Sequence, residues 1–293
     1  MIEDKINDFI TTKSRILDVI GYGSGVVRQN GYTNEKKQID LMVTVDSNVE
    51  YHKENHAKFD EEYSKIGYKL LPLIMHFGTD INYISNIKYK KNDFKMGVIE
   101  RDDLIDDLIN WKNFFMAGRC QKPINLIRVS NDVRKAIKIN RLNALKVALI
   151  LNYDKQITYN ELFETICSLS YIGDIRMFFK CENPNKIKNI VDASMYEYRK
   201  MYINEDLYVI RNGNIKVNID KIINELHNMP QTILKNCDGI TKNDIEFLRK
   251  SFYDNIYKMN LATSTAQPIK SVVINGCSKS SKYLIEKVKK GRM

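Results

Sequence analysis

At 293 residues the chain is long enough for one large domain or two ordinary ones. Its 43% hydrophobic and 28% charged residues exclude a wholly disordered protein. A formal net charge of +10, from 46 Lys+Arg against 36 Asp+Glu, favours a polyanionic surface, a nucleotide or an anionic lipid as partner. Residues 4–20 place Ile6, Phe9, Ile10, Ile16, Leu17 and Ile20 near helical spacing, and a helix is expected there. Gly21-Tyr22-Gly23-Ser24-Gly25 interrupts it, and a loop through Lys37 leads to a strand over Ile39–Val45. Along that strand Ile39, Leu41, Val43 and Val45 share one face, and Asp40, Met42 and Thr44 the other. Further strands are expected over 79–87 and 95–99. A helix over 102–118 carries Leu104, Leu108, Trp111 and Phe115 on one face and four aspartates in its first turns, where the helix dipole favours them. From Asn131 to about Tyr202 the pattern is mostly helical, and 207–217, with Asn212-Gly213 between apolar residues, reads as a hairpin or wing. The tail from Ser280 interleaves Lys282, Lys287, Lys289, Lys290 and Arg292 with Tyr283, Leu284, Ile285 and Val288.

Four segments offer chemistry. The first is Gly23-Ser24 with Asp40 on the following strand: glycines let backbone approach a triphosphate, a hydroxyl holds a phosphate oxygen, and a carboxylate holds Mg²⁺. Gly-Ser turns are common and strand aspartates usually face solvent, so the pair is a weak signal by itself. The customary second carboxylate two residues along is also missing, since Gln38 and Met42 flank Asp40 on its face. Asp46, Asp80, Asp93 and Glu100 are the unranked candidates for its partner. The second segment, with His52 and Asn55 on one helix face, reads by itself as a solvated polar helix. The third, Met116 to Pro123, has Arg119 and Lys122 at a helix end, with Gly118 as a C-cap or the cations as a phosphate clamp. In the fourth, Asp174 can pair with Arg176, while Arg176, Lys186 and Lys188 can meet an anion or simply line a charged loop.

Taken in order, the segments resemble the mitochondrial-type phosphatidate cytidylyltransferases, the translocator-assembly-and-maintenance family. The resemblance rests on Gly23-Ser24-Gly25-Val26 with Gln29 and Ile39-Asp40; on His52-x-x-Asn55 with Tyr63-Ser64; and on Lys95-Met96-Gly97-Val98. It continues through Asp103-Leu104 to Asn110-Trp111, Ala117-Gly118-Arg119-x-Gln121-Lys122-Pro123 and Leu169-Ser170-Tyr171-x-Gly173-Asp174-x-Arg176-Met177. Glu182-Asn183-Pro184-x-Lys186-x-Lys188-Asn189-Ile190-Val191, Gln267-x-x-Lys270 and Tyr283 complete it over most of the chain. Tyr51, where a bulkier aromatic is frequent, and Gly276-Cys277 depart from the family's pattern.

The resemblance implies an α+β fold: a polymerase-β-like nucleotidyltransferase domain over 1–130, a mostly helical winged-helix-like domain over 131–230, and a helical region with a basic tail over 231–293. It implies transfer of cytidylyl from CTP to phosphatidate, giving CDP-diacylglycerol, with Mg²⁺ as cofactor. Gly23, Ser24, Gly25 and Gln29 would hold the nucleotide and Asp40 the metal, making Asp40, Ser24 and Lys95 the catalytic candidates. Lys95, Arg119 and Lys122 match family positions, and their charge suits them to neutralise the nucleotide's phosphates; His52, Asn55, Asp174, Arg176 and Lys186 match too and are placed on the substrate side. A nucleotidyltransferase acting on tRNA or protein, or a non-catalytic winged-helix nucleic-acid binder, are the alternatives.

No apolar run reaches the ~18 residues of a membrane span. The first five residues resemble neither a signal peptide nor an Arg- and Ser-rich presequence. A peripheral enzyme on the cytoplasmic or an organelle-matrix face is therefore expected, with the basic tail reaching anionic lipid. Five scattered cysteines without a CxxC pair argue against a disulfide framework or a zinc site.

Overall fold

A computed structural model describes residues 2–27, 38–178, 182–234, 237 and 239–276, save the side chains of residues 65, 66 and 242. Gln29 and the basic tail lie outside these residues. The fold is α+β. The first helix, α1 (Ile2–Ile10), buries Ile6, Phe9 and Ile10. The helix expected over 4–20 ends there: Arg15 takes a φ of 58°, and the chain then runs as β1 (Asp18–Tyr22). β1 is covered on both faces, so Val19 and Ile20 are both buried and lack the alternation that marks a strand in sequence.

Next come β2 (Ile39–Val45), α2 (Asn48–Lys58), α3 (Lys65–Ile74), β3 (Asn82–Tyr89) and β4 (Asn92–Glu100). With β5 (Asn125–Arg128) they form a five-stranded sheet in the order β3-β4-β2-β1-β5. β2 runs parallel to β4 and antiparallel to β1, and the remaining pairs are antiparallel. Both faces are packed. Ile39, Leu41, Val43 and Val45 meet α1, Tyr51 of α2 and Leu71 of α3. On the other face Met42, Ile20 and Ile99 meet the helix α4 (Arg101–Asn110) through Leu104 and Leu108.

α4 stops well short of residue 118. Trp111 turns left-handed at φ 51°, and Asp107 accepts hydrogen bonds from the N–H groups of Asn113, Phe114, Met116 and Ala117 at 2.9, 2.7, 2.7 and 3.0 Å. The chain thus wraps around one buried carboxylate before the short α5 (Ala117–Cys120). Asp107, read from sequence as a dipole-favoured residue near the start of a longer helix, is instead the centre of that turn. Gly118 is no C-cap either; it lies inside α5, where a Cβ would come 2.7 Å from that of Ser170.

The remaining elements are mostly helical. Ser130 caps α6 (Asn131–Leu151), and a Thr158/Glu161 capping box opens α7 (Tyr159–Ser168). α8 (Ile175–Phe178), α9 (Lys186–Ala193) and α10 (Met195–Tyr202) follow. The expected hairpin is β6 (Tyr208–Arg211) and β7 (Asn214–Val217), whose Asn212-Gly213 turn has φ of 51° and 78°, as an Asn-Gly two-residue loop requires. α11 (Ile219–Asn224) leads towards α12 (Ile245–Asn275). The first half of α12 sends Leu248, Phe252 and Ile256 into a core shared with Leu149, Phe163 and Tyr198. Its end lies against the sheet: Asn275 donates to the Tyr83 carbonyl at 3.0 Å and accepts from the Ser85 N–H at 2.9 Å, where β3 bulges.

Candidate active site

The register of the sheet assembles the first half of the site. Tyr22 pairs with Asp40 across β1–β2, and Asp40 pairs with Lys95 across β2–β4, so the three share one face. Gly23 follows at once with a φ of 72°, and a Cβ there would stand 3.1 Å from Asp40 Oδ2. Gly25 is held still more closely, since its Cβ would lie 2.0 Å from the Gln38 carbonyl oxygen. The turn is closed by the Val26 and Val27 N–H groups, both donating to the Gly23 carbonyl at 3.1 and 2.8 Å. Lys95 Nζ lies 4.4 Å from the centre of the Tyr83 ring, and the Tyr83 and Tyr22 hydroxyls are 3.2 Å apart. Burial, then the neighbouring Tyr83 and Asp40, push the Tyr22 phenol well above its usual range, so it remains a neutral hydrogen-bonding group.

Met42, next on the Asp40 face, is fully buried in an apolar core and leaves that strand with one carboxylate. Of the four candidate partners, Asp46 pairs with Arg15 at 2.8 Å, Asp80 with His76 at 2.9 Å, and Glu100 accepts from the Asn48 N–H at 2.8 Å. Asp93 alone lies near Lys95, two residues earlier on the same face of β4. Asp40 with Ser24 and the turn backbone is the kind of oxygen-rich set that Mg²⁺ takes together with substrate phosphates.

The second half is a group of cations brought from two parts of the chain. α5 is fixed by Asn140 of α6, which donates to the Ala117 carbonyl at 2.9 Å and accepts from Trp111 Nε1 at 2.9 Å and Gln121 Nε2 at 3.1 Å. Arg119 on α5 stacks 3.6 Å over the Phe115 ring and donates to the Phe115 carbonyl at 2.7 Å. Burial opposes its charge, but Tyr83, Tyr22 and Asp174 hold its pKa above the usual value, and Arg176 works against this. The Phe115 ring lies 6.3 Å from that of Tyr83 and Lys122 follows three residues after Arg119, so Arg119 links the Asp40 face to the second cation group.

In that group Asp174 binds Arg176 through both carboxylate oxygens, and Glu182 lies 3.5 Å from the same guanidinium. Glu182 also bridges to Lys186. Lys122 donates to the Gly118 carbonyl at 2.8 Å and to the Ser170 hydroxyl. The Lys122 and Lys186 ammonium groups lie 5.0 and 5.8 Å from the centre of the Tyr171 ring. Burial, with repulsion from Arg119, Lys186 and Arg176, pulls the Lys122 ammonium down to about 8 against the opposing effect of Cys167. Four cations thus face two carboxylates, an arrangement complementary to a polyanion.

His52 and Asn55 lie elsewhere. Both are buried on the opposite side of the sheet, where His52 Nδ1 meets the Tyr63 hydroxyl at 2.8 Å and Asn55 donates to Glu62 and Tyr63 at 2.8 and 3.1 Å. Lys13 completes that network on Glu62. Burial and the neighbouring Lys270 hold His52 down to about 3, so it is neutral. The structure thus places this pair, expected on the substrate side, in the packing of α2 against the sheet and away from Asp40. Sequence reasoning in turn overlooked Tyr22, Tyr83, Ser170 and Tyr171 as contacts within the site. The position of Tyr22 between two glycines that must stay bare was the available signal for one of them. His76, Asp80 and Asp103 also cluster, but Lys112 already lies 3.3 and 3.2 Å from the two carboxylates.

Comparison with known proteins matches residues 6–290 to the family described as phosphatidate cytidylyltransferase, mitochondrial. Relatives bearing that name include one from Schizosaccharomyces pombe, 38% identical over 63% of this chain and 48% of its own length. The one from Homo sapiens is 36% identical over 62% of this chain and 41% of its own length. The one from Dictyostelium discoideum is 28% identical over 99% of this chain and 85% of its own length. The chain thus matches about half the length, or less, of the first two. Because the family match runs through the glycine turn, Asp40 and the four-cation group alike, the chain belongs to the mitochondrial phosphatidate cytidylyltransferase family.

Proposed function

We propose that the protein is a phosphatidate cytidylyltransferase, converting CTP and phosphatidate to CDP-diacylglycerol and pyrophosphate. The observation that carries this reading is the position of Arg119: it stacks on Phe115, whose ring meets Tyr83 of the Asp40 face, and it lies three residues before Lys122 of the second cation group. It sets a nucleotide turn and a second phosphate-binding group side by side. A phosphatidate oxygen attacks the α-phosphorus of CTP, forming a new P–O bond while the bond to the β-phosphate's bridging oxygen breaks and pyrophosphate departs. The attacking oxygen is already anionic, so no strong base is required; the barrier lies in bringing two polyanions together.

Gly23, Ser24 and Gly25 cradle the triphosphate, and Lys95 neutralises it beside Asp40. Arg119 stands between the two substrates. Lys122, Arg176 and Lys186 hold the lipid phosphate, with Asp174 fixing the plane of Arg176. Mg²⁺ held by Asp40 would withdraw charge from the phosphates and orient them for displacement. The reading also includes a polymerase-β-like nucleotidyltransferase domain over 1–130, a winged-helix-like domain over 131–230, and residues 231–293 bringing anionic lipid through the basic tail. Among the described residues no helix is long and apolar enough to cross a membrane. The reading also includes a peripheral position on a membrane, and the relatives it draws on are named mitochondrial.

The test is incubation with radiolabelled CTP, Mg²⁺ and vesicles containing phosphatidate, with ATP, GTP and UTP as controls. The reading predicts label in the lipid phase from CTP alone. No lipid-soluble label from any nucleotide, with folded protein on the vesicles, would reject it.

A further inference from the structure

The outward side of α12 changes character along its length. Between residues 259 and 276 it carries one charged residue, Lys270, and that side chain is 1% exposed, its ammonium donating to the Met75 and Thr79 carbonyls at 2.5 and 2.6 Å. The face left to solvent presents Leu261, Ile269 and Val272. α3 and the turn after it lie along one flank, where a Cβ on Gly67 would collide with the Val273 carbonyl and one on Gly78 with Ala266. α3 adds Leu73, 80% exposed, and the turn Phe77, 50% exposed. α8 lies along the other flank, tied by the Ile175 N–H donating to Ser264 Oγ at 3.1 Å, and adds Phe178, 82% exposed.

A water-facing helix ordinarily carries charges on its outer side, and a stretch that exposes apolar residues without them marks an interaction surface. Two features identify its occupant. Arg176 and Phe178 share the short α8, which is tied to α12, so the four-cation group borders the apolar face, and a surface covering both must be oily with anionic phosphates at its edge. α12 ends at Asn275, three residues beyond exposed Val272, and residues 277–293 after it hold six Lys or Arg against one Glu.

We propose that the α3–α12 face, with Phe178, docks on an anionic lipid bilayer and sets the Arg176 group at headgroup depth. The proposal rests on reading that group as the phosphatidate site. Leu73, Phe77 and Ile269 enter the boundary between headgroups and acyl chains, while the cations meet the headgroup phosphates. Docking in this orientation delivers the lipid phosphate to Arg176 without extracting the lipid from the membrane.

The test is co-sedimentation of the full chain with vesicles of phosphatidylcholine and phosphatidylglycerol. It compares wild type with a Leu73→Glu, Ile269→Glu double variant whose fold is checked by thermal unfolding. The expected result is a vesicle partition coefficient lowered about tenfold or more. Turnover of phosphatidate in vesicles should fall in parallel, while turnover of a short-chain, water-soluble phosphatidate stays at the wild-type level. A Leu73→Trp variant reads the contact without a disruptive charge: its emission should shift to the blue when vesicles are added, over a constant background from fully buried Trp111. Equal partition of the double variant and wild type would overturn the proposal, as would an unshifted Leu73→Trp emission. Light scattering showing that the double variant splits a dimer that binds vesicles equally well would overturn it too, by making the face a contact between copies. Absence of turnover with every lipid, combined with loss of vesicle binding in the variant, would reject the catalytic reading and leave the docking face standing.

Discussion

Replacing Gly25 by alanine tests the nucleotide turn with one carbon atom. The added Cβ would stand 2.0 Å from the Gln38 carbonyl oxygen, against about 3.4 Å for ordinary contact, so the turn and the start of β2 must part by about 1.4 Å. That separation falls two residues from Asp40. The strain itself should lower the unfolding free energy by about 1–3 kcal/mol, as overpacking does. Catalysis should suffer more, because an error of about 1 Å in a reacting geometry costs about 10²-fold. The assay is kcat/KM for CTP at saturating phosphatidate, alongside urea unfolding of the same preparation. The expected outcome is a fall of about 10²-fold in kcat/KM in a protein that remains folded at assay temperature. Wild-type kcat/KM in a folded Gly25→Ala protein would refute the claim that this turn and Asp40 act as one fixed unit.

Asp107→Ala leaves four N–H groups, three of them buried, without their acceptor and should lower stability by about 3–5 kcal/mol, measured by urea unfolding, since each unsatisfied buried group costs about 1–3 kcal/mol and entering water offsets part. A loss under about 0.5 kcal/mol would contradict its place at the centre of the 111–117 turn. His52→Ala should cost about 2–4 kcal/mol of stability yet keep kcat/KM per folded molecule within about threefold, because His52 lies across the sheet from Asp40. Burial holds the Lys270 ammonium down to about 7 against an ordinary 10.5, so between those values the unfolded chain binds the extra proton. Wild-type stability should therefore rise with pH relative to Lys270→Met from about pH 7 to 10, by up to about 1.4 kcal/mol per pH unit, and a constant difference across that range would contradict the burial argument.

The sequence makes β2 legible because its alternation is real, although both of its faces turn out to be covered. β1 is hidden for the opposite reason: Val19 and Ile20 are buried on opposite faces, and with Ile16 and Leu17 they imitate a helical stripe. The break at Trp111 is equally hidden, since its cause is a carboxylate inside α4 whose four partners come later in the chain. Asn212-Gly213 is the reverse case, in which a two-residue conformational demand suffices to fix a hairpin.

Within the candidate site, the pairing of Asp174 with Arg176 is readable because the two residues are neighbours. Lys95 beside Asp40 depends on a parallel register formed across a connection that holds α2, α3 and β3, and no local pattern encodes it. Arg119 as the link between the two halves depends on Asp107 and Asn140 holding α5 in place, which is a matter of tertiary packing. His52 and Asn55 show the converse: polar residues at helical spacing look like a site in sequence, and burial with Tyr63 and Glu62 gives them a structural partner instead.

The most direct test of the account is the formation of lipid-soluble cytidine label from CTP and phosphatidate vesicles by wild type and by Asp40→Asn, a change that keeps the side chain's shape and removes its charge. The account predicts product from wild type and a rate at least about 10²-fold lower from folded Asp40→Asn. Equal rates from the two proteins would contradict it.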